Sequence, residues 1–182
     1  MKKDEFNNIE VDLVFKCSKA IDFKNKYKNI QGDDIFQSFF WEKVFLCWLR
    51  IIIIEYESSI PKINLKSKSF SFGFEIIDNQ EIAILNKKWL NKSGPTDVLS
   101  FPILSKEDLV NDLKSVEFGD IFISLEMAMK QSIEYNNSVE QEVIWLACHG
   151  FLHLLGWDHQ DKLQLENMLK IQEYLISKLN NE

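Results

Sequence analysis

The sequence predicts a mixed fold, α/β or α+β, in which helices cover about four strands. Three observations support this prediction. The chain has 182 residues, a length that suits one domain with one core. Its hydrophobic share of 46% and charged share of 27% are ordinary for a globular protein. Short alternating segments, typical of strands, and longer amphipathic segments, typical of helices, follow one another in the order β-α-β-α-β-β-α-α-α.

The first two strands flank a long helix. Alternation of apolar and polar residues predicts strands at Ile9–Lys16 and Phe70–Ile77. Between them, Asp34 to about Tyr56 is predicted as a helix and Ser58–Ser67 as a linker, while residues 17–33 are polar and irregular. Three charged side chains in the apolar stretch of this helix argue against a membrane span and for a buried amphipathic helix: Glu42, Lys43 and Arg50.

A capping pattern and a breaker define the next helix. Asp78 is followed three residues later by Glu81, which is a capping-box pattern and predicts a helix that runs to about Asn91. Gly94 and Pro95 then end the helical pattern. We therefore expect a short connection between this helix and the strand that follows.

Two further strands are predicted on either side of a loop. Thr96–Phe101 is a short apolar strand that ends at Pro102, and Gly119–Ser124 is the last strand. The acidic residues 103–117 between them are predicted as a loop.

Three helices complete the prediction. Ser124 caps a helix that reaches Tyr135, and Ser138, with Gln141 three residues later, opens the next one. A last amphipathic helix runs from about Lys162 to Leu179.

All three histidines fall in one short window that begins on the second of these helices. His149 and His153 are four residues apart, so they project from one helix face and can share a metal ion at about 2.0–2.1 Å. Gly156 follows where the helix should end, and the chain can then turn back to bring His159 to the same ion. Three nitrogen ligands leave a fourth position for water, which is the catalytic arrangement of zinc. The alternative is three unrelated histidines, two of them satisfied inside a core.

The same window bears on a peptidase function. Its spacing is that of the metzincin signature, in which a glutamate after the first histidine is the general base. Here that position is Gly150, which has no side chain. A peptidase of this type could therefore still bind the metal but would lack its general base.

Charge and cysteine content narrow the other options. The net charge of −7 does not indicate a nucleic-acid binder, so RNA binding would require a local basic patch. The chain has three widely spaced cysteines: Cys17, Cys47 and Cys148. Their odd number and spacing predict a protein without disulfides, and together with the absence of a signal-peptide pattern they predict a cytoplasmic location. Cys148 lies beside His149, but the apolar stripe of its helix favours core packing over metal binding.

Three segments resemble the YbeY family, the bacterial endoribonucleases of rRNA maturation. Gly94–Pro102 is similar to the family's Pro-Thr-Asp-Val-Leu-Ser-Phe-Pro segment, and Gly119–Ser124 resembles its Gly-Asp-Ile-x-Ile-Ser strand. His149–His159 resembles the family's His-Gly-x-Leu-His-Leu-x-Gly-Tyr-Asp-His, with Trp157 where tyrosine is usual. The resemblance covers roughly Phe70 to the C-terminus.

This resemblance implies a fold, a cofactor and an activity. The fold is one α+β domain over residues 1–182, with a small, mainly four-stranded sheet packed with helices and a divergent N-terminal segment at residues 1–60. A cleft would hold one zinc ion through His149, His153 and His159. The implied activity is cleavage of single-stranded RNA in the maturation of small-subunit rRNA and in ribosome quality control. The implied partners are rRNA precursors and the ribosome, with no membrane.

One departure from the family concerns the RNA contact. Leu90 replaces the arginine of the family's Tyr-Arg-Gly-Lys pattern, and Lys92 matches its lysine. The resemblance therefore implies that Lys92 is a substrate-binding residue and that phosphate contacts shift to Lys87, Lys88 and Lys92. A solvated helix face is the alternative for these lysines.

The sequence leaves the general base and the nucleophile open. Zinc can lower the pKa of its water, but RNA also carries its own nucleophile, the 2′-hydroxyl. Glu142 lies on the metal face of its helix, yet a solvated carboxylate is the favoured interpretation. Asp158 either orients His159 or caps a turn, and Asp97 serves either the site or a strand end. No catalytic carboxylate is assigned.

Two other functions remain as alternatives. One is a zinc metallohydrolase of another substrate class, acting on a peptide or a small amide. The other is a non-catalytic ribosome assembly factor in which zinc joins the C-terminal helices. The fourth ligand of the metal distinguishes them, because structural zinc normally has four protein ligands.

Overall fold

The computed structural model describes residues 9–18, 33–56, 69–103 and 115–179. The strands of this part of the chain are β1 (Glu10–Cys17), β2 (Ser69–Ile77), β3 (Val98–Pro102) and β4 (Ser115–Ser124). Its helices are α1 (Ser38–Glu55), α2 (Asn79–Leu90), α3 (Leu125–Tyr135), α4 (Val139–Leu154) and α5 (Lys162–Leu179). A single 3-10 turn, Asp33–Phe36, precedes α1.

The four strands form one sheet with the order β1-β2-β4-β3. β1, β2 and β4 are parallel to one another, and β3 is antiparallel to β4 at one edge. Parallel neighbours need a crossover connection, and the chain supplies α1 between β1 and β2 and α2 between β2 and β4. The fold is therefore α+β with a four-stranded sheet, which confirms the predicted fold class and the predicted order of elements.

One face of the sheet packs against α1 and α4 through an aromatic core. The four alternate side chains of β2 that point to this face are buried: Phe70, Phe72, Phe74 and Ile76. The ring of Phe45 on α1 lies 5.2 Å from that of Phe72 and 5.6 Å from that of Phe151 on α4. Phe151 also lies 5.6 Å from Trp48. Ring separations of this size are favourable, and they anchor α4 to the core.

Helix α2 packs on the opposite face of the sheet. Ile77, Ile82 and Leu99 form a second buried cluster, against which Phe101 packs. Side chains alternate along a strand, so Ser100, between Leu99 and Phe101, points to the other face, towards α4. The edge strand β3 therefore contacts α2 on one side and α4 on the other.

The predicted N-caps are confirmed. The Asp78 carboxylate accepts from the Glu81 backbone N–H at 2.8 Å, and the Glu81 carboxylate accepts from the Asp78 N–H at 3.2 Å. Ser138 and Gln141 form the same reciprocal pair at the start of α4, at 3.1 and 2.8 Å. The Ser124 hydroxyl accepts from the third N–H of α3 at 3.2 Å. These caps satisfy helix N–H groups that have no partner within the helix.

The helix predicted from Asp34 is wrong in its first turn. The 3-10 turn Asp33–Phe36 comes first, and Gln37 then has an extended conformation with φ −111° and ψ 128° before α1 begins. The indole N–H of Trp41 donates to the carbonyl of Ile35 at 2.7 Å. This bond holds the turn against α1 at an angle, which a periodic pattern does not reveal.

Strand β4 begins at Ser115, although the sequence predicted a loop up to residue 117 and a strand from Gly119. Val116 and Phe118 are buried, and so is Ile121 three residues further on. The alternation breaks because the register with β2 shifts at this point and Gly119 has a φ of 125°. A β-bulge inserts one residue and hides the first half of the strand from a period-two pattern.

Some predictions lie outside the described residues. They are the linker Ser58–Ser67, the irregular segment at residues 19–32 and the loop at residues 104–114. Of the helices that the structure describes, none is long and apolar enough to cross a membrane. Helix α1, predicted as buried and amphipathic, buries seven of its side chains, which confirms that prediction.

Candidate metal centre

Helix α4 brings His149 and His153 together on one face. Their Nε2 atoms lie 3.1 Å apart, and their ring centroids are 4.7 Å apart. Two nitrogen ligands of one tetrahedral zinc ion would lie roughly 3.3 Å apart, given bonds of about 2.0–2.1 Å. The two imidazoles are therefore already close to the spacing that one ion requires.

The end of α4 reverses the chain and adds the third histidine. The Gly156 N–H donates to the His153 carbonyl at 3.0 Å, and the Trp157 N–H donates to the Leu152 carbonyl at 3.1 Å. This is the Schellman arrangement, and it needs the left-handed conformation that Gly156 adopts at φ 92°. His159 then lies 5.5 Å and 5.4 Å, between ring centroids, from the other two imidazoles.

The three histidines meet as the sequence predicted. One ligand atom from each of His149, His153 and His159 lies within 4.8 Å of the other two, and all three residues are partly exposed. In the part of the chain that the structure describes, no other histidine, cysteine or acidic residue joins this group. The donor set is three nitrogens from partly exposed residues, and such a set suits zinc.

Burial favours the neutral, metal-binding form of two of these histidines. The pKa of His149 is lowered by burial and by the neighbouring His159, against the opposing effects of Gln172 and Asp97. The pKa of His153 is likewise lowered, first by burial and then by His149. Both imidazoles are therefore neutral at pH 7, so that binding a metal ion there displaces few protons.

We expect acid to release a bound metal and to destabilise the metal-free protein. The folded-state pKa values of His149 and His153 lie below the ordinary value of 6.5, so the unfolded chain takes up protons first as the pH falls. The stability present above pH 6.5 is lost as the pH falls through that value towards the lowered pKa values. Thermal midpoints and zinc content, measured between about pH 8 and pH 5, test this expectation, because histidine titrates within that range.

The control for this pH dependence is His153→Ala without metal, which should lose less stability in acid than the wild type does. A zinc content that stays constant well below the ordinary histidine pKa would show that histidines do not hold the metal.

Asp97 is an ionised neighbour of the histidine cluster. Its carboxylate accepts from the Val98 N–H at 2.8 Å, the Thr96 hydroxyl at 3.0 Å and the Gln131 amide at 2.9 Å. Burial alone would raise the pKa of Asp97, but these hydrogen bonds outweigh it and hold the pKa below its usual value. The negative charge of Asp97 in turn favours a protonated His149. The predicted strand-end role is therefore present, since Asp97 caps the start of β3 at Val98, and a role in the site stays a prediction.

Of the other two carboxylates, Glu142 differs from expectation and Asp158 does not. Glu142 is 2% exposed, and its carboxylate accepts from the Asn137 amide at 3.1 Å, so the interpretation as a solvated helix carboxylate is wrong. Glu142 lies in the first turn of α4, where the helix N-terminus stabilises a negative charge. Asp158 accepts from the backbone N–H of His159 at 2.8 Å and so fixes the backbone that presents the third imidazole.

Gln172 on α5 is a contact of the site that the sequence analysis missed. Its Oε1 lies 3.2 Å from Nδ1 of His149, and its Nε2 donates to the Trp145 carbonyl at 2.9 Å. A signal was present, because Gln172 interrupts the buried stripe of α5 between Met168 and Leu175. A polar residue at a core position of an amphipathic helix indicates a specific partner.

Cys148 is a core residue, as the sequence predicted. It is completely buried, and its Sγ is directed to the backbone carbonyl of Gln172 at 3.9 Å. Burial raises the pKa of its thiol well above the usual value, so it does not offer the thiolate that zinc prefers.

The lysines predicted to contact RNA lie at the end of α2 and just after it. Lys87, Lys88 and Lys92 are all exposed. Lys87 donates to the Asn91 side chain at 2.9 Å, and the Lys88 ammonium lies 5.0 Å from the centre of the Trp89 ring. Among the described hydrogen bonds, none joins these lysines to the histidine cluster, so the structure leaves the role of Lys92 as a prediction.

Similarity to known proteins identifies the family. Residues 45–180 match the family model described as Endoribonuclease YbeY. The protein of that name from Prochlorococcus marinus strain MIT 9312 is 56% identical over 180 residues, which are 99% of this chain and 100% of the relative. Its counterpart in Prochlorococcus marinus subsp. pastoris is 52% identical over the same shares. That of Synechococcus sp. strain CC9605 is 41% identical over 79% of this chain and 86% of the relative. The chain therefore belongs to the YbeY family of endoribonucleases.

Proposed function

We propose that this protein is a zinc-dependent endoribonuclease that cleaves single-stranded RNA. The observation that carries the proposal is the convergence of His149, His153 and His159 at one partly exposed place in a member of an endoribonuclease family. We further propose that it acts as a single domain, in the cytoplasm, on precursors of small-subunit rRNA and in association with the ribosome.

The donor set supports zinc as the metal. Zinc in catalytic sites commonly has three protein ligands, and neutral imidazole suits it well. A zinc ion held by the three histidines would act as a Lewis acid towards a phosphoryl oxygen and would lower the pKa of a water molecule. One ion per chain follows from one cluster in the described residues.

The remaining residues of the site position and tune these ligands. Asp97 is a poor proton acceptor at neutral pH, because its oxygens already accept three hydrogen bonds and its pKa is lowered. Its contribution is electrostatic, since its negative charge raises the pKa of His149 against the lowering effect of burial. Asp158 holds the backbone of His159, and Gln131 holds Asp97. These contacts fix geometry without taking part in proton transfer.

The arrangement argues against a peptidase of the metzincin type. A Cβ on Gly150 would lie 2.9 Å from Cγ2 of Ile121 and 3.2 Å from the Ser100 hydroxyl. The position that carries the metzincin general base therefore faces the sheet here and has no room for a side chain. Partial exposure of all three histidines also argues against a purely structural zinc, which normally has four protein ligands.

Cleavage of a defined RNA tests the proposed function. We expect the purified protein to cut a single-stranded oligonucleotide of small-subunit rRNA sequence and to leave its perfect duplex uncut. A chelator should abolish cleavage, and added zinc should restore it, because the ligands remain in place without the metal. Zinc dependence would be contradicted if the chelator-treated protein, shown to contain no metal, cleaved the RNA as fast as the untreated protein.

Replacing Lys92 by alanine should weaken RNA binding and its dependence on salt. A lysine that contacts a phosphate releases a counterion, so its loss should lower the slope of log affinity against log salt by about 0.7 for single strands. Lys178→Ala is the control, because it also removes one positive charge but lies in the last turn of α5, outside the three lysines predicted to contact RNA. Lys92 would be removed from the RNA site if both variants bound RNA as the wild type does at every salt concentration.

A further inference from the structure

We propose that Gln172 is a positioning residue of the metal centre, which holds His149 in the tautomer that directs a free Nε2 lone pair at the metal. The proposal rests on the three-histidine metal site proposed above. It concerns a residue on α5, 23 positions beyond His149 in the chain, whose Oε1 lies 3.2 Å from Nδ1 of that histidine.

The orientation of the Gln172 carboxamide is fixed by its surroundings. Gln172 is 0% exposed, so water does not compete for its hydrogen bonds. One end of the amide lies 2.9 Å from the Trp145 carbonyl, which can only accept. That end must therefore be the NH₂ group. The oxygen is then the atom that faces His149, at 3.2 Å from Nδ1.

The fixed oxygen decides which nitrogen of His149 carries the proton. An amide oxygen can only accept, so Nδ1 of a neutral His149 has to be the donor. Its Nε2 then carries a lone pair, and this is the atom that lies 3.1 Å from Nε2 of His153. The chain of contacts thus runs from the Trp145 carbonyl through Gln172 to His149.

A glutamine meets two requirements that a carboxylate would not meet together. Histidine ligands of metals commonly donate to a carboxylate or a carbonyl, and such partners fix the ring orientation. At this place the partner must also donate to the Trp145 carbonyl, because that side of Gln172 faces an acceptor. Glutamine does both without burying a charge beside Cys148, which is completely buried.

A structural role alone would have different consequences. Gln172 also joins α5 to α4 through Trp145, so its loss should lower stability whether or not it orients His149. Only the positioning role predicts that loss of Gln172 changes the tautomer of His149 and lowers zinc affinity. Loss of a similarly buried amide elsewhere in the protein should change neither. Asn86 provides the comparison, since it is 4% exposed and donates to the Gly94 carbonyl at 2.9 Å.

Three variants of the full chain test the proposal: Gln172→Leu, Gln172→Glu and Asn86→Leu. Zinc affinity is measured by competition with a chelator, and the ring nitrogens of His149 are observed by NMR in the metal-free protein. We expect Gln172→Leu to bind zinc about 10- to 100-fold more weakly and to populate both tautomers. Gln172→Glu keeps an acceptor for Nδ1 and should bind zinc more tightly than Gln172→Leu. Asn86→Leu should lower the thermal midpoint yet keep the wild-type affinity and tautomer.

The outcomes separate this proposal from the proposed function. If the wild type binds no zinc, the metal site is wrong, whereas the NMR of the metal-free protein still reports the tautomer of His149. If Gln172→Leu keeps both the wild-type zinc affinity and the Nδ1-protonated ring, Gln172 is only structural and the proposal is overturned. Should Gln172→Leu fail to fold, a Gln172→Glu variant that folds with a mixed tautomer would overturn it equally.

Discussion

Replacing His153 by alanine should remove the metal and lower the stability of the C-terminal helices. His153 supplies one of three ligands, and loss of a ligand should weaken zinc binding by more than the roughly 10- to 100-fold cost of losing a supporting contact. A bound ion stabilises the fold by about 2.7 kcal/mol when its free concentration is 100 times the dissociation constant. The variant should lose this contribution, as measured by zinc content and by the thermal midpoint at fixed zinc concentration.

The wild type treated with a chelator is the control for this variant. It should melt close to His153→Ala, because both lack the ion while both retain the core packing of Phe151. Added zinc should raise the midpoint of the wild type alone. Equal zinc content in the purified wild type and the variant would exclude His153 as a ligand.

Introducing glutamate at Gly150 should remove most of the protein's stability instead of creating a peptidase. A Cβ at this position would lie 2.9 Å from Cγ2 of Ile121, a fully buried side chain of β4. Overpacking of this kind costs about 1–3 kcal/mol, and an unpaired buried carboxylate costs several more. The gain of about 1 kcal/mol from removing a helix glycine does not offset them. Since domains of this size are stable by only about 5–15 kcal/mol, chemical denaturation should show most of that stability lost.

The same substitution at Gly94 is the matched control. Gly94 has a φ of 88°, and a Cβ there would meet nothing within 4 Å. Gly94→Glu should therefore cost only about 1–2 kcal/mol, the strain of a left-handed residue with a side chain. A folded Gly150→Glu protein, as stable as the wild type, would mean that α4 does not pack on the sheet through this glycine.

The sequence predicted those features of the structure that depend only on residues close together in the chain. The histidine cluster could be predicted because His149, His153 and His159 lie within one helix and its terminal turn, and Gly156 marks that turn. The capping residues were predictable for the same reason, since each cap acts on an N–H group within three residues of it. The fold class followed from the order of such local elements.

Contacts between distant segments could not be predicted. Gln172 approaches His149 from 23 residues away, and Gln131 approaches Asp97 from 34 residues away. Both contacts depend on how helices pack on the sheet, which a single sequence does not specify. Glu142 was misjudged for a different reason: its partner Asn137 is only five positions away, but the helical pattern does not show that this position in the first turn of α4 is buried.

The three histidines are close to one another in the sequence, and this has a consequence for how fast a metal ion would exchange at the candidate metal centre. The first and last histidines of the cluster are ten positions apart in the chain, and a loop of that length closes in about 10–100 ns with a small entropic cost. Pairing of β1 with β2 and of β2 with β4 links far more distant residues, and non-local pairing of this kind forms more slowly than local contacts. The segment from His149 to His159 therefore brings its histidines together as soon as α4 and its terminal turn form. By the same reasoning, fraying of that one helix end would be sufficient to release a zinc ion held there as proposed, and we expect the rate of metal exchange to report local opening instead of global unfolding.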